Sequence, residues 1–216
     1  MTDTQSRRTA IVTGASRGIG AAIAQRLARD GIAIIVNYAG DVQAAEAVVS
    51  GIRTAGGQAE AVKADVSDPA AARRLFDAAE KSFGGVDVIV NNAGIMPLAT
   101  IAASDDAMFD RLIAVNLKGS FNMMREAATR LRRGGRIINL SSSVVGLLQP
   151  TYGVYAGTKA AVEAMTSVLA KEMRGREITV NAIAPGPVAT DLLWEAGHRA
   201  VLVVRWLCGV GLLRPV

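Results

Sequence analysis

The chain has 216 residues, half of them apolar and a fifth charged, and 24 Lys and Arg against 19 Asp and Glu leave a net charge of +5. That size and composition suit one soluble, well-packed domain. A single Cys excludes an internal disulfide framework, a single His argues against a His-rich metal site or a Ser-His-Asp triad, and 4% aromatic content offers no stacking platform for nucleic acid.

No long apolar stretch precedes the first glycine turn, so no secretory signal is expected, and the lone cysteine fits a reducing cytoplasm. "TAIVT" (Thr9–Thr13) predicts a first strand and "TGASRGIG" a glycine turn opening a helix over Ile19–Asp30. "IAIIVN" (Ile32–Asn37) predicts a second strand, Val42–Ala55 a second helix and "AEAVKAD" a third strand. Asp68 and Pro69 form a helix start, and that helix runs to Phe83. Gly31, Gly56 and Gly84 follow helices as stops. "VDVIVNN", a long helix over Ser104–Leu131, "GRIINLSS", a helix over Tyr155–Arg174 and "EITVNAIAP" complete the alternation.

Near-continuous apolar strands alternating with amphipathic helices predict an α/β fold. A Rossmann-type, doubly wound parallel sheet carries helices on both faces in three α/β/α layers. No segment matches the length of a membrane helix; the apolar tail stretch "AVLVVRWLCGVGLL" is short and interrupted by Arg205.

The glycines at 14, 18 and 20 point to a phosphate site. Gly14 suits a tight turn, Gly18 a close ligand and Gly20 close helix–strand packing, with the helix start facing an anion. A packing loop of any α/β protein is the plainer alternative. At the end of the second strand, Asn37 occupies the place where a carboxylate would bind a ribose 2′-hydroxyl. Together with Arg17 this favours NADP(H), with NAD(H) as the alternative. Asp41, four residues on, weighs the other way.

Tyr155 and Lys159 lie at i and i+4, on one helix face. An ammonium there is expected to lower the phenol pKa and fit the Tyr for proton transfer. The serine run Ser141–Ser143 leaves the fifth strand at its carboxyl end, where parallel sheets place their sites.

Together "TGASRGIG", "NNAG" (Asn91–Gly94), Asn116, Ser141–Ser143, "YAGTK" and "NAIAPGPVATD" resemble the short-chain dehydrogenase/reductase family over residues 7–193. The subtype is similar to NADP-preferring 3-oxoacyl-acyl-carrier-protein reductases and related ketoreductases. The resemblance implies an oxidoreductase moving hydride between a nicotinamide cofactor and a carbonyl or secondary alcohol. Tyr155 would be the proton donor, and Lys159 would lower its pKa and hold the nicotinamide ribose. Ser142 would be the catalytic serine, with Ser143 as rival. The Asn116 carbonyl would hold a relay water; an interior amide bonded to backbone is the alternative.

Cofactor contacts would come from Gly14, Ser16, Arg17, Gly18, Ile19, Gly20, Asn37, Asp65, Val66, Asn92, Ala93, Gly94, Tyr155, Lys159, Pro185, Gly186, Val188 and Thr190, with no metal. A homo-oligomer through the two long helices is implied, with no nucleic-acid or membrane partner.

The resemblance fades after Leu193. Residues 1–193 would form the dinucleotide-binding catalytic domain and 194–216 an atypical, apparently truncated tail of the same domain. The family's last helix and seventh strand are expected to be lacking, leaving the sixth strand at a sheet edge and apolar sheet surface uncovered, unless "AVLVVRWL" covers part of it. The second functional reading is a member that binds cofactor but is catalytically impaired.

Overall fold

Two apolar cores, one on each face of a seven-stranded sheet, hold the molecule together. The computed structural model describes residues 7–186 and the backbone of 204–207. In chain order the elements are β1 (Thr9–Val12), α1 (Gly18–Arg29), β2 (Ala33–Tyr38), α2 (Val42–Thr54), β3 (Ala59–Lys63), α3 (Pro69–Phe83) and β4 (Val86–Asn91). A 3-10 turn (Ile101–Ala103) leads to α4 (Asp106–Leu112), a π-helical segment (Ile113–Lys118) and α5 (Gly119–Arg130). Then come β5 (Leu131–Leu140), α6 (Val144–Leu147), α7 (Gly153–Glu172), β6 (Thr179–Pro185) and β7 (Val204–Leu207).

The sheet runs β3-β2-β1-β4-β5-β6-β7, and its first six strands are parallel. The order reverses between β1 and β4, which makes the carboxyl ends of those strands the natural cleft. Strand alternation divides the apolar runs between the two cores. Ile11, Ile35, Ile89 and Ile137 face Leu75, Phe76, Met123 and Leu169 of α3, α5 and α7. Val12, Ile34, Val36 and Val90 face Ala24 of α1 and Val48 and Ile52 of α2.

Local chemistry sets the helix ends. Asp41 and Asp68 cap α2 and α3 by accepting from the backbone N–H of Ala44 and Ala70, both at 2.9 Å. Gly84 ends α3 with φ of +82°, in the left-handed region.

Two expectations change. The helix expected over Ser104–Leu131 is interrupted by the π-helical segment, whose wider turn holds the fully buried Asn116. The sixth strand is not a sheet edge. Val204–Leu207 pairs with it antiparallel, with Pro185 opposite Val204 and Ala182 opposite Leu207. A strand edge with unpaired amides gains a hydrogen-bonded neighbour in this way. The sheet face expected to lie uncovered remains partly accessible: Ile138 of β5 and Ile183 of β6 are half-buried, whereas Ile137, Val180 and Ala182 are buried. Val188 and Thr190 lie outside the described residues. Among the described residues no helix is long and apolar enough to cross a membrane.

Candidate active site

The glycine turn between β1 and α1 is held open by side chains from neighbouring strands. Asn92 donates from Nδ2 to the carbonyls of Thr13 (2.9 Å) and Gly14 (3.1 Å). The Thr13 hydroxyl accepts from the N–H groups of Asn92 and Ala93, both at 3.0 Å. Gly14 has φ of +60° and Gly18 of +56°. A Cβ at Gly14 would lie 3.0 Å from the Cα of Ala93, and one at Gly20 would lie 2.4 Å from the Gly14 oxygen. Turn, strand and helix therefore approach as closely as the glycine spacing predicts.

Beside this turn lies a groove of about 450 Å³. It is lined by Gly14, Ser16, Arg17, Gly18 and Ile19, by residues 37–41, by Asp65 and Val66, and by Asn92, Ala93 and Gly94. The helix start, the glycine cradle and a cleft of ligand size fit a dinucleotide. Arg111, Val115 and Ile95 also line the groove but were not anticipated. Their signal was present, since Arg111 lies four residues before Val115 and shares its helix face.

Asn37 plays a different part from the one its position implies. It is buried; its Oδ1 accepts from the Gly14 N–H at 3.2 Å and its Nδ2 donates to the Ala64 carbonyl at 2.9 Å. The amide is thus engaged in tying β2 and β3 to the glycine turn. What it leaves at the end of β2 is a site without a carboxylate, followed by Ala39 and Gly40. Asp41 lines the groove, yet its carboxylate caps α2. Asp65 accepts from the Ser67 N–H at 2.9 Å, so it also shapes its own loop.

At the far end of the groove the fold gathers the remaining candidates. A Cβ on Gly94 would be 3.3 Å from Asn116 Oδ1 and 3.7 Å from Lys159 Nζ. Lys159 is buried on α7 and donates to the Leu140 carbonyl at 2.7 Å. Its ammonium lies 5.8 Å from the Tyr155 ring centroid. Ser142, rather than Ser143, is the neighbour that pulls on the Tyr155 phenol, and its Oγ also accepts from the Val144 N–H at 3.4 Å. Ser143 starts α6, and its N–H donates to the Pro185 carbonyl at 2.9 Å. Tyr152, also unanticipated, sets its ring edge-on to Tyr155, centroids 6.3 Å apart.

Asn116 clamps the loop after β4. Its Oδ1 accepts from the Ile95 N–H at 2.8 Å and its Nδ2 donates to the Ile95 carbonyl at 2.9 Å. Its own carbonyl accepts from the Ser120 hydroxyl at 2.7 Å. The side chain is therefore engaged as the interior amide of the second reading.

The expected lowering of the Tyr155 pKa is reversed. Burial pushes the phenol up to about 12, against a smaller opposite pull from its hydrogen bond to Ser142. Burial also pushes the Lys159 ammonium down to about 8. Both changes have one main cause, the cost of charge away from water. At neutral pH the arrangement is a phenol that keeps its proton beside a lysine that is mostly charged.

Residues 8–200 match the family described as short chain dehydrogenase. The chain belongs to the short-chain dehydrogenase/reductase family. This dehydrogenase is thereby an oxidoreductase of a family that works with nicotinamide cofactors and small-molecule substrates. It is 47% identical over 205 residues to a short-chain type dehydrogenase/reductase of Picea abies, covering 90% of this chain and 76% of that one. It is 48% identical over 202 residues to the NADPH-dependent aldehyde reductase 2, chloroplastic, of Arabidopsis thaliana, covering 87% and 74%. Among solved structures, a short chain dehydrogenase from Burkholderia cenocepacia J2315 in complex with NADP superposes with a TM-score of 0.83 at 40% identity, covering 87% and 77%.

Proposed function

We propose that this dehydrogenase is an NADPH-preferring reductase of aldehydes or ketones in which Tyr155 delivers the proton. The observation that carries the proposal is the placing of the buried Tyr155 and Lys159, with the half-buried Ser142 beside the phenol, next to a groove with a glycine cradle. A bound nicotinamide cofactor would supply the hydride. Gly14, Gly18 and the start of α1 would bind its phosphates, and Gly94 would let its ribose approach Lys159. Pro185 and Gly186, at the end of β6, would border the nicotinamide. Tyr155, holding its proton at neutral pH, would give it to a carbonyl oxygen as negative charge develops there. Ser142 and the Lys159 ammonium would stabilise the phenolate left behind. The Asn116 carbonyl would hold a relay water, as the family resemblance implies.

The absence of a carboxylate at Asn37, together with Arg17 in the turn, supports NADPH over NADH. Removing one charge-assisted contact costs about 1.5–3 kcal/mol, so Arg17→Ala is expected to weaken NADPH binding by roughly 10–100-fold and leave NADH binding unchanged. Fluorescence titration with both cofactors checks this; equal losses would remove Arg17 as the discriminating cation. The same titration, paired with NADPH oxidation on a panel of small aldehydes and ketones, separates the two functional readings. Tight binding without turnover would favour the impaired form.

Reduction requires the Tyr155 proton and, in this mechanism, the Lys159 charge. The phenol keeps its proton until about pH 12, whereas the ammonium loses its own near pH 8. The rate of carbonyl reduction should therefore fall as pH rises through about 8, in a single-proton limb. A profile flat to pH 10 would show that the lysine charge is not needed.

The chain is further proposed to self-associate through α5 and α7, where Phe121 (44% exposed) and Val168 (54%) are accessible apolar side chains. A molar mass in solution equal to one chain would exclude this. A cytoplasmic setting is supported by the single cysteine alone.

A further inference from the structure

Three polar contacts join α7 to the end of β5, and they follow one helix face. Asn139 donates from Nδ2 to the Thr166 hydroxyl at 2.8 Å. Ser141 donates from its hydroxyl to Glu163 Oε1 at 2.5 Å. Lys159 donates to the Leu140 carbonyl at 2.7 Å. On the helix, 159, 163 and 166 recur at i, i+4 and i+7. On the strand, 139 and 141 share a face. Strand and helix run in opposite directions, so the contacts ascend together toward the reactive groups. The next residue after Ser141 is Ser142, and one turn before Lys159 is Tyr155.

Each lower contact is anchored from behind. Asn139 Oδ1 accepts from Asn91 Nδ2 of β4 at 2.7 Å, and the Thr166 hydroxyl donates to the Val162 carbonyl at 2.7 Å. The Ser141 N–H donates to the Ile183 carbonyl of β6 at 2.7 Å. The backbone of Ser141 is thus fixed by the sheet, and its side chain reaches the helix. Glu163 is the only charged acceptor among these contacts, and a hydroxyl–carboxylate bond of this length is of the strong, charge-assisted kind.

We propose that Glu163, acting through Ser141, is a positioning residue that sets the register of α7 on β5 and so holds Ser142 against Tyr155. This rests on the reading of Tyr155 and Ser142 as the reacting pair. A misplacement of about 1 Å in such a pair is enough to cost of order 10²-fold in rate. Glu163 does not line the cofactor groove, so its loss should act on turnover and spare cofactor binding.

The test uses the full chain with NADPH and hexanal as probes. Glu163→Ala and Ser141→Ala are each expected to lower kcat by about tenfold, while KM and the NADPH dissociation constant stay within about twofold. Glu163→Gln, which keeps an acceptor at the same length, should recover most of the loss. The double alanine variant should lose no more than either single one, because both remove the same contact. Amide hydrogen exchange gives a readout independent of any substrate: it should quicken over residues 142–153 alone in the alanine variants. Unchanged exchange in that segment would overturn the proposal, as would faster exchange spread over all of α7 and β5. Failure of the underlying reading looks different, since Tyr155→Phe would then keep its turnover.

Discussion

Tyr155→Phe is expected to reduce NADPH-dependent carbonyl reduction by roughly 10²–10⁴-fold, the range that a positioned proton donor contributes. The substitution removes one oxygen and little else. The ring keeps its place with Leu112, Val144 and Ala156 and its edge-on packing against Tyr152. The Lys159 ammonium keeps its bond to the Leu140 carbonyl, which does not involve the phenol. The groove is lined mainly by the glycine turn and by residues beyond β2, β3 and β4, and Tyr155 is not one of its lining residues. NADPH should therefore bind the variant nearly as tightly as the parent, and kcat alone should collapse. Stability should change little, because the deleted group also relieves the burial of a polar oxygen. Steady-state NADPH oxidation together with cofactor titration measures both quantities. Undiminished turnover would remove Tyr155 as the donor; lost cofactor binding would mean that the phenol acts in holding the ligand.

Much of this was legible in the sequence because it is local. Glycines ending helices, Asp68 before Pro69 and the near-continuous apolar runs act within a few residues, and the structure keeps them. The glycine turn and the Tyr155–Lys159 spacing are similarly local, so most of the groove was named in advance. What escaped depends on three dimensions. The pKa values of Tyr155 and Lys159 follow from burial, which spacing along a helix does not reveal. Asn37 has a place in the sequence that suggests a ribose contact, but its amide turns inward because Gly14 and Ala64 offer it partners. The π-helical break at Asn116 answers a demand from the Ile95 backbone, 21 residues away. The pairing of Val204–Leu207 with β6 needs a strand edge that exists only after the sheet has formed. Ser142 and Ser143 are adjacent and alike in sequence, and only the fold separates them: the Ser143 N–H is taken up by the Pro185 carbonyl, and Ser142 is the one that acts on the phenol.

Gly20→Ala should damage both stability and cofactor binding, and it tests the cradle without touching the catalytic group. A Cβ at this position would meet the Gly14 carbonyl oxygen at 2.4 Å and Asn92 Nδ2 at 2.5 Å. Those two atoms are themselves hydrogen-bonded at 3.1 Å, so the methyl would wedge into the bond that holds the glycine turn against β4. Backbone on one side and a tied amide on the other leave no flexible end to yield. Overpacking of about 1–3 kcal/mol, with about 1 kcal/mol for the strained hydrogen bond, predicts a loss of roughly 2–4 kcal/mol in unfolding free energy. Displacing α1 also moves its first N–H groups away from the phosphate position, so NADPH affinity should fall by at least about tenfold. Gly51→Ala is the matched control. It lies within α2, and an added Cβ there meets nothing within 4 Å. Helix propensity alone predicts a gain of about 0.5–1 kcal/mol, with cofactor affinity unchanged. Denaturant unfolding and NADPH titration of the pair distinguish a steric demand for glycine at position 20 from a general intolerance of substitution. Equal behaviour of the two variants would refute the close approach of α1 to the turn.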